Sequence, residues 1–460
     1  MKTTVLSVMV LSAALAVSAK PNFLFIIADD CTHNDLPVYG GENARTPNID
    51  KLAGEGLVFN RAYVSQAICQ PSRSALYTGL FPWRNGAAYN HSASKKGLKS
   101  ISHYLRDLGY RVGISGKMHV KPNSVFPFKV VPGFDSNCVR NPTQPHDVSG
   151  ITKFMANKEK PFCLFVCLTE PHVPWVMGDA SKYPVDELKL PPNIADTELT
   201  RRDFAKYLAE ITYMDGQVGE ILQALEESGQ ADGTLVMFSS EQGSQFPGCK
   251  WTVWDTGLHT ALIARWPGRV PAGKRTDAIV QYVDVVPTFM ELGGGQAKGL
   301  DGSSFAAVLA GKKTEHRPFA YGIHNNIPEG LAYPSRTVTD GTYRYIRNLT
   351  PDALYTQKYV MSYDGLSKNR NAYWGQWMFS SWNDEHIAML VSRYMNRPAE
   401  ELYRTDRDPF ELENLTENPE HAEALARLSK ELDAWMASQG DPGARADTME
   451  MYRASKTNAR

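Results

Sequence analysis

The chain has 460 residues, with 49 basic and 50 acidic side chains, a formal charge of −1 and 42% hydrophobic residues. That length supports one large domain with an appendage, or two domains, around a sizeable core. The near-neutral balance removes any electrostatic case for nucleic acid or a membrane surface as partner, and the lack of long biased tracts describes an ordinary globular protein.

The first 19 residues, MKTTVLSVMVLSAALAVSA, join one early lysine, a short apolar run and the small residues Val17-Ser18-Ala19 ahead of Lys20. This is the pattern of a secretory signal peptide, with a buried first helix as the competing reading, and it predicts a secreted or periplasmic protein. No later stretch has the ~20 apolar residues a membrane span needs. Of the six cysteines (Cys31, Cys69, Cys138, Cys163, Cys167, Cys249), most read as core residues. Cys163 and Cys167 share one predicted strand, roughly 13 Å apart, and cannot bridge each other.

Four apolar runs read as buried parallel strands, each followed by polar residues rather than a hairpin turn. NFLFIIA leads into Asp29-Asp30, and YRVGIS into Gly116-Lys117-Met118-His119. FCLFVCL leads into Thr169-Glu170-Pro171-His172, and TLVMFSS into Glu241-Gln242-Gly243. Between them, a helix is predicted from Thr200, with Asp203 completing a near capping box, to just before Gly229. Alternating strands and helices imply an α/β sheet covered on both faces, whose ligands bind beyond the carboxyl ends of the strands. Four strands bring carboxylates, a lysine, histidines and an amide to that edge.

Beyond residue 335 the pattern changes. RTVTDGTYRYIRNL reads as strand, Asp-Gly turn and strand. ELYRTDRDPFELENL adds a strand and a turn, and a last helix opens at Asn418-Pro419 and stops at Gly440. The expected organisation is a signal peptide over 1–19, a catalytic domain over 20–335, a smaller antiparallel sheet with a helix over 336–440, and a frayed polar tail over 441–460.

In AICQPSRSALYTG, Pro71 suits the first turn of a helix, which puts Cys69 at its positive end with Arg73 able to fold back over it. A thiol so placed is expected to be acidic and open to reaction; a buried structural cysteine is the alternative. The neighbouring residues decide between them. Cys69-Gln70-Pro71-Ser72-Arg73 followed by SALYTG resembles the Cys-x-Pro-Ser-Arg segment of the type I sulfatases. TPNIDKLAGEGLVFNRAY, GKMH and EPHVP also match that family's pattern, and the resemblance covers most of residues 21–440. Within the family the nearest resemblance is to the heparan N-sulfatase (N-sulfoglucosamine sulfohydrolase) type, through GKMHVKPNSVFPF, YPSRTV and RDPFELENLTENP.

The resemblance implies an alkaline-phosphatase-like α/β sandwich with a large mixed, mostly parallel sheet. It implies that a maturase oxidises Cys69 to formylglycine, whose hydrate attacks sulfur with one hydroxyl and expels sulfate with the other. One Ca2+ is implied, held by Asp29, Asp30, Cys69, Glu241 and Gln242, a set suited to a hard cation. An Asp-Asp pair after a strand taken alone reads as a solvated turn. Glu241-Gln242 departs from the family's usual Asp followed by Asn or His, which bears on the choice of metal. Lys117 and Lys250 would contact sulfate, with Arg73 in the catalytic set. His119 would deprotonate the hydrate, and His172 would protonate the leaving atom. His91 and His259 are left unplaced.

His324, Asn325, Glu329 and Arg336 fall where the family lines its substrate pocket. The sulfamidase His-His-Glu run is absent, with Asn326, Ile327 and Pro328 in its place, which argues against carrying over N-sulfoglucosamine specificity. Trp374, Trp377 and Trp382 are candidates for sugar stacking or for plain packing. The expected partners are a sulfated saccharide and the maturase. Two other readings stand beside the sulfatase: a phosphodiesterase or phosphonate hydrolase of the same fold, and an inactive glycan-binding protein.

Overall fold

The apolar runs form the middle of an eight-stranded sheet. A computed structural model describes residues 20–361 and 372–458; the leader expected over 1–19 lies outside them. From one edge the strands are Lys274–Thr276, Leu57–Phe59, Leu262–Arg265, Thr234–Ser240, Asn22–Ala28, Phe162–Cys167, Arg111–Gly116 and Lys129–Val130. Only Leu262–Arg265 runs antiparallel to its neighbours, so the sheet is mixed and mostly parallel.

Strands Asn22–Ala28, Phe162–Cys167 and Thr234–Ser240 are buried along their whole length, as continuous apolar runs require when both faces are covered. Their register aligns their carboxyl ends: Ala28 faces Ser240, Ile27 faces Cys167, and Cys167 faces Gly116. Glu241 and Asp29 therefore leave the sheet side by side, and Lys117 leaves the same edge one strand further on, beyond Phe162–Cys167. Gly116 permits this at the third exit. Its φ is +82°, and a Cβ there would stand 2.0 Å from the Cys167 carbonyl oxygen.

The long helix spans Glu198–Glu227, and its cap lies three residues before the expected one. Thr197, not Thr200, accepts the capping hydrogen bond, from the Thr200 N–H at 3.3 Å. The final long helix agrees with its signals: Asn418 caps the turn Pro419–His421, and Gly440 ends Ala422–Gln439 with φ +64°.

The second sheet has four antiparallel strands, Ala320–His324, Ser335–Thr339, Tyr343–Asn348 and Glu400–Arg404. The Asp340-Gly341 turn joins the middle pair as the sequence predicts. Its first strand lies before residue 336, so this sheet begins inside the range expected to be catalytic. The two parts are joined by buried charges, Arg344 bridging Asp255 at 2.6 Å and Glu411 at 2.9 Å.

Residues 441–458 of the tail are not frayed. Asp447 is buried and accepts the N–H groups of Asn326, Ile327 and Tyr333, and a helix follows over Met449–Thr457. A polar composition concealed this, because the tail is held by hydrogen bonds to backbone groups elsewhere in the chain together with the packing of Tyr452 on Tyr89.

Candidate active site

At the aligned strand ends, ligand atoms of Asp29, Asp30, Cys69 and Glu241 lie within 4.8 Å of one another. Asp30 takes a left-handed φ of 57°, a conformation that aspartate tolerates better than most residues. Cys69 opens the helix Cys69–Thr78, with Sγ 3.6 Å from Asp29 Oδ1 and 3.8 Å from Asp30 Oδ1. Gln242 donates Nε2 to Asp30 Oδ1 at 2.6 Å, while its Oε1 is buried without a partner. Exchanging the amide nitrogen and oxygen, which have the same shape, turns that orphan oxygen onto the cluster. Three carboxylates and an amide oxygen fit a hard divalent cation.

Three cations compensate the acids. Arg73 grips Glu241 with Nε–Oε1 at 2.7 Å and Nη2–Oε2 at 3.0 Å, and donates to the Lys117 carbonyl at 2.5 Å. Lys117 Nζ is 2.5 Å from Asp29 Oδ2, and Lys250 Nζ is 2.6 Å from Asp30 Oδ2. Burial works against charge on both lysines, but the facing aspartates outweigh it and hold their pKa values up. Burial likewise opposes ionisation of Asp29, and the Lys117 ammonium reverses that, keeping the carboxyl well below its usual range.

Cys69 departs from expectation. Burial first, and the Glu241 charge second, push its thiol well above the ordinary range. The helix end does not make it a thiolate, because the acidic cluster surrounds it. Arg73, expected to fold over Cys69, is engaged with Glu241 instead.

His172 donates Nδ1 to the Val173 carbonyl at 2.6 Å, which aims Nε2 at Asp30 Oδ2, 3.4 Å away. Burial alone would lower its pKa, yet the neighbouring Cys138 and Asp30 raise it to about 9. Cys138 is a site residue the sequence did not flag: its sulfur lies within 4.8 Å of ligand atoms of Asp29 and His172. It stands in an irregular stretch with no periodicity to mark it. His119, with φ 44°, places Nε2 3.2 Å from His91 Nδ1, and its own Nδ1 is buried without a partner. Burial and the Lys117 charge lower its pKa well below 6.5, so it is neutral and able to accept a proton.

Glu329 accepts from Asn90, the neighbour of His91, at 2.9 Å, and its Oε2 is a buried orphan. Burial raises its pKa to about 7. Asn325 donates to the Ala88 carbonyl at 3.0 Å with its Oδ1 unpartnered. His324 contacts Asn326 and Tyr355 rather than the acidic cluster. Arg336, expected at the substrate, is a buried strut: it bonds Asp441 and the carbonyls of His324 and Ser335. His259 belongs to a separate buried group with Asp255, at 2.8 Å, and His33. Trp374 and Trp377 are core residues, and Trp382 is 80% exposed.

The sheet topology, with an acidic cluster at its carboxyl edge, is that of the alkaline-phosphatase-like fold. The sulfatase family matches residues 21–295, and the C-terminal family of N-sulphoglucosamine sulphohydrolase matches residues 249–358. An ulvan-active sulfatase of Formosa agariphila is 34% identical over 443 residues, 94% of this chain and 83% of that protein. Human N-sulphoglucosamine sulphohydrolase is 28% identical over 474 residues, covering 92% and 91%. A structure solved with D-glucosamine-2-N,6-O-disulfate superposes with a TM-score of 0.66 at 18% identity, covering 92% and 99%. The chain belongs to the sulfatase family and is a sulfuric ester hydrolase, with a C-terminal part similar to that of the N-sulphoglucosamine enzymes. Among the described residues no helix is long and apolar enough to cross a membrane.

Proposed function

We propose that this protein is an exported sulfatase that removes sulfate from a sulfated sugar, as an ester or a sulfamate, with Cys69 matured to formylglycine and one Ca2+ bound. The observation that carries the reading is the meeting of Asp29, Asp30, Cys69 and Glu241 within 4.8 Å, flanked by Lys117 and Lys250. The names of the two relatives above support a sulfated glycan as substrate. Export rests on the first 19 residues of the sequence.

Asp29, Asp30, Glu241 and Gln242 would hold the cation, which supplies positive charge against the sulfate oxygens. A formylglycine at residue 69 would supply, as its hydrate, the two hydroxyls that the nucleophilic chemistry needs. The chain's own residues do the rest. Lys117 and Lys250 bind the sulfate oxygens and orient the sulfur over residue 69. His119, neutral, takes the proton whose loss releases sulfate. His172, held protonated, gives a proton to the leaving oxygen or nitrogen. Glu329 and Asn325, each with an orphan oxygen, line the sugar pocket.

The test is co-expression with a maturase, peptide mass spectrometry of the segment containing Cys69, and assays on sulfate and phosphonate esters. The expected result is a species lighter than the cysteine form, with activity on sulfate esters. Full activity with only unmodified thiol would overturn the mechanism. Turnover of phosphonate alone would replace the assignment.

A further inference from the structure

The C-terminal helix, Met449–Thr457, is docked against the loop that carries His91. Asn458 donates to the carbonyls of Gly86 and Ala93 at 3.1 and 3.0 Å, and the Ala93 N–H donates to Ser455 at 3.2 Å. Tyr452 packs edge-on against Tyr89, with ring centroids 6.1 Å apart. A Cβ at Gly86 (φ +87°) would stand 2.9 Å from the Asn458 side chain, so the close approach depends on glycine there.

The next residue of the same loop reaches the other way. Ser94 N–H donates to the Lys121 carbonyl at 3.0 Å. Two adjacent backbone bonds, from Ala93 to Ser455 and from Ser94 to Lys121, thus bring the residue before Lys456 and Lys121 itself to one stretch of loop just after His91, whose ring meets His119. Both lysines are exposed. Neither has an ion-pair partner among the described residues, Lys456 Nζ lying over the Tyr452 ring at 4.5 Å from its centroid, whereas Lys117 and Lys250 are matched to Asp29 and Asp30. Burial first, and the charge of Lys456 second, lower the pKa of Lys121; burial, then Lys456 and Lys121, lower that of His91. Like charges left together without a counter-ion at the mouth of a site repel each other unless an anion comes between them.

We propose that Lys121 and Lys456 form a subsite for a second anionic group of the substrate, a carboxylate or a further sulfate near the sulfate to be removed. This rests on the sulfatase reading and narrows it to a polyanionic glycan. The C-terminal helix is then part of the substrate site, although it lies more than 300 residues from the nucleophile in sequence. The reacting sulfate is held by Lys117 and Lys250, so the second anion needs its own positive charge.

The experiment compares four probes on the matured enzyme: 4-nitrophenyl sulfate, a monosulfated neutral disaccharide, the same disaccharide with a uronic acid, and the same disaccharide with a second sulfate. The readout is kcat/KM on each disaccharide divided by that on 4-nitrophenyl sulfate. K456Q and K121Q should each lower this ratio on the order of fivefold for an acidic disaccharide, the upper end for an exposed charge pair. The double variant should lower it further, and the effect should shrink in high salt. The neutral disaccharide should not show the drop, and K96Q, on the same loop, controls for net charge. Whichever acidic probe responds more identifies the second anion as carboxylate or sulfate. Ratios that stay level, or that fall equally for neutral and acidic disaccharides, would overturn the proposal. If the parent turns over no sulfate ester, the sulfatase reading has failed. The subsite is then judged alone, by calorimetric binding of the desulfated uronic disaccharide to parent and K456Q, and equal affinities overturn it.

Discussion

His172→Ala tests the mechanism most directly, because the structure assigns this side chain a state as well as a place. Its Nδ1 is bonded to the Val173 carbonyl at 2.6 Å, which fixes the ring, and Nε2 faces the acidic cluster at 3.4 Å from Asp30. With a pKa raised to about 9, it carries its proton at neutral pH. A sugar hydroxyl leaves poorly as an alkoxide and needs that proton as the bond to sulfur breaks. A nitrophenolate does not. General acid catalysis of this kind contributes ~10²–10⁴ in rate, or about 3–5 kcal/mol of transition-state stabilisation. The variant should lose that much in kcat on a sulfated sugar and less than about tenfold on 4-nitrophenyl sulfate. The sign with pH follows from the raised value: the acid is present below about pH 9 and is lost as pH rises through it. The parent's rate on the sugar should therefore fall above that pH, while its rate on the aryl sulfate should not fall with it. Equal losses on both substrates would refute the assignment and make His172 a sulfate-binding or structural residue.

Asp30→Ala and chelation should each abolish sulfatase activity while the circular dichroism spectrum is kept, and elemental analysis should show the bound cation lost in both; a chelated enzyme that still turns over would remove the metal from the mechanism. Gly116→Ala should destabilise the protein by about 2–4 kcal/mol in denaturant titration, because a side chain is forced into φ +82° against the Cys167 carbonyl, and it should lower activity by moving Lys117. Glu210 is buried, accepts the N–H groups of Val176 and Met177 at 2.6 and 2.9 Å, and has its pKa raised by burial from 4.5 to about 8. Between those values the unfolded chain binds fewer protons than the folded one, so stability falls as pH rises. Glu210→Gln keeps the accepting oxygen and removes that loss, so its stability relative to the parent should increase between pH 5 and pH 8.

The sequence alone determined the strands and the edge they share. An apolar run long enough to be buried on both faces, closed by a polar residue, is a local signal; Asn22–Ala28 and Thr234–Ser240 follow it to the residue, and Phe162–Cys167 stops one residue short of it. The Asp340-Gly341 hairpin and the helix stop at Gly440 are local in the same way. So is the segment from Cys69 to Arg73, whose specificity lies in five adjacent residues.

Only the tertiary structure decided how the gathered charges pair, because each pairing joins residues far apart in the chain. Arg73 binds Glu241 rather than Cys69, and the thiol is pushed up rather than activated, since burial and neighbouring carboxylates outweigh the helix end. Arg336 is taken up by Asp441, which no local pattern could indicate. Cys138 and His91 enter the site from irregular loops whose sequences carry no period. The tail reads as solvated because it is polar. It is ordered because Asp447 caps backbone donors at residues 326, 327 and 333, and Asn458 closes on Gly86. Such bonds depend on where the rest of the chain has folded, and composition does not encode it.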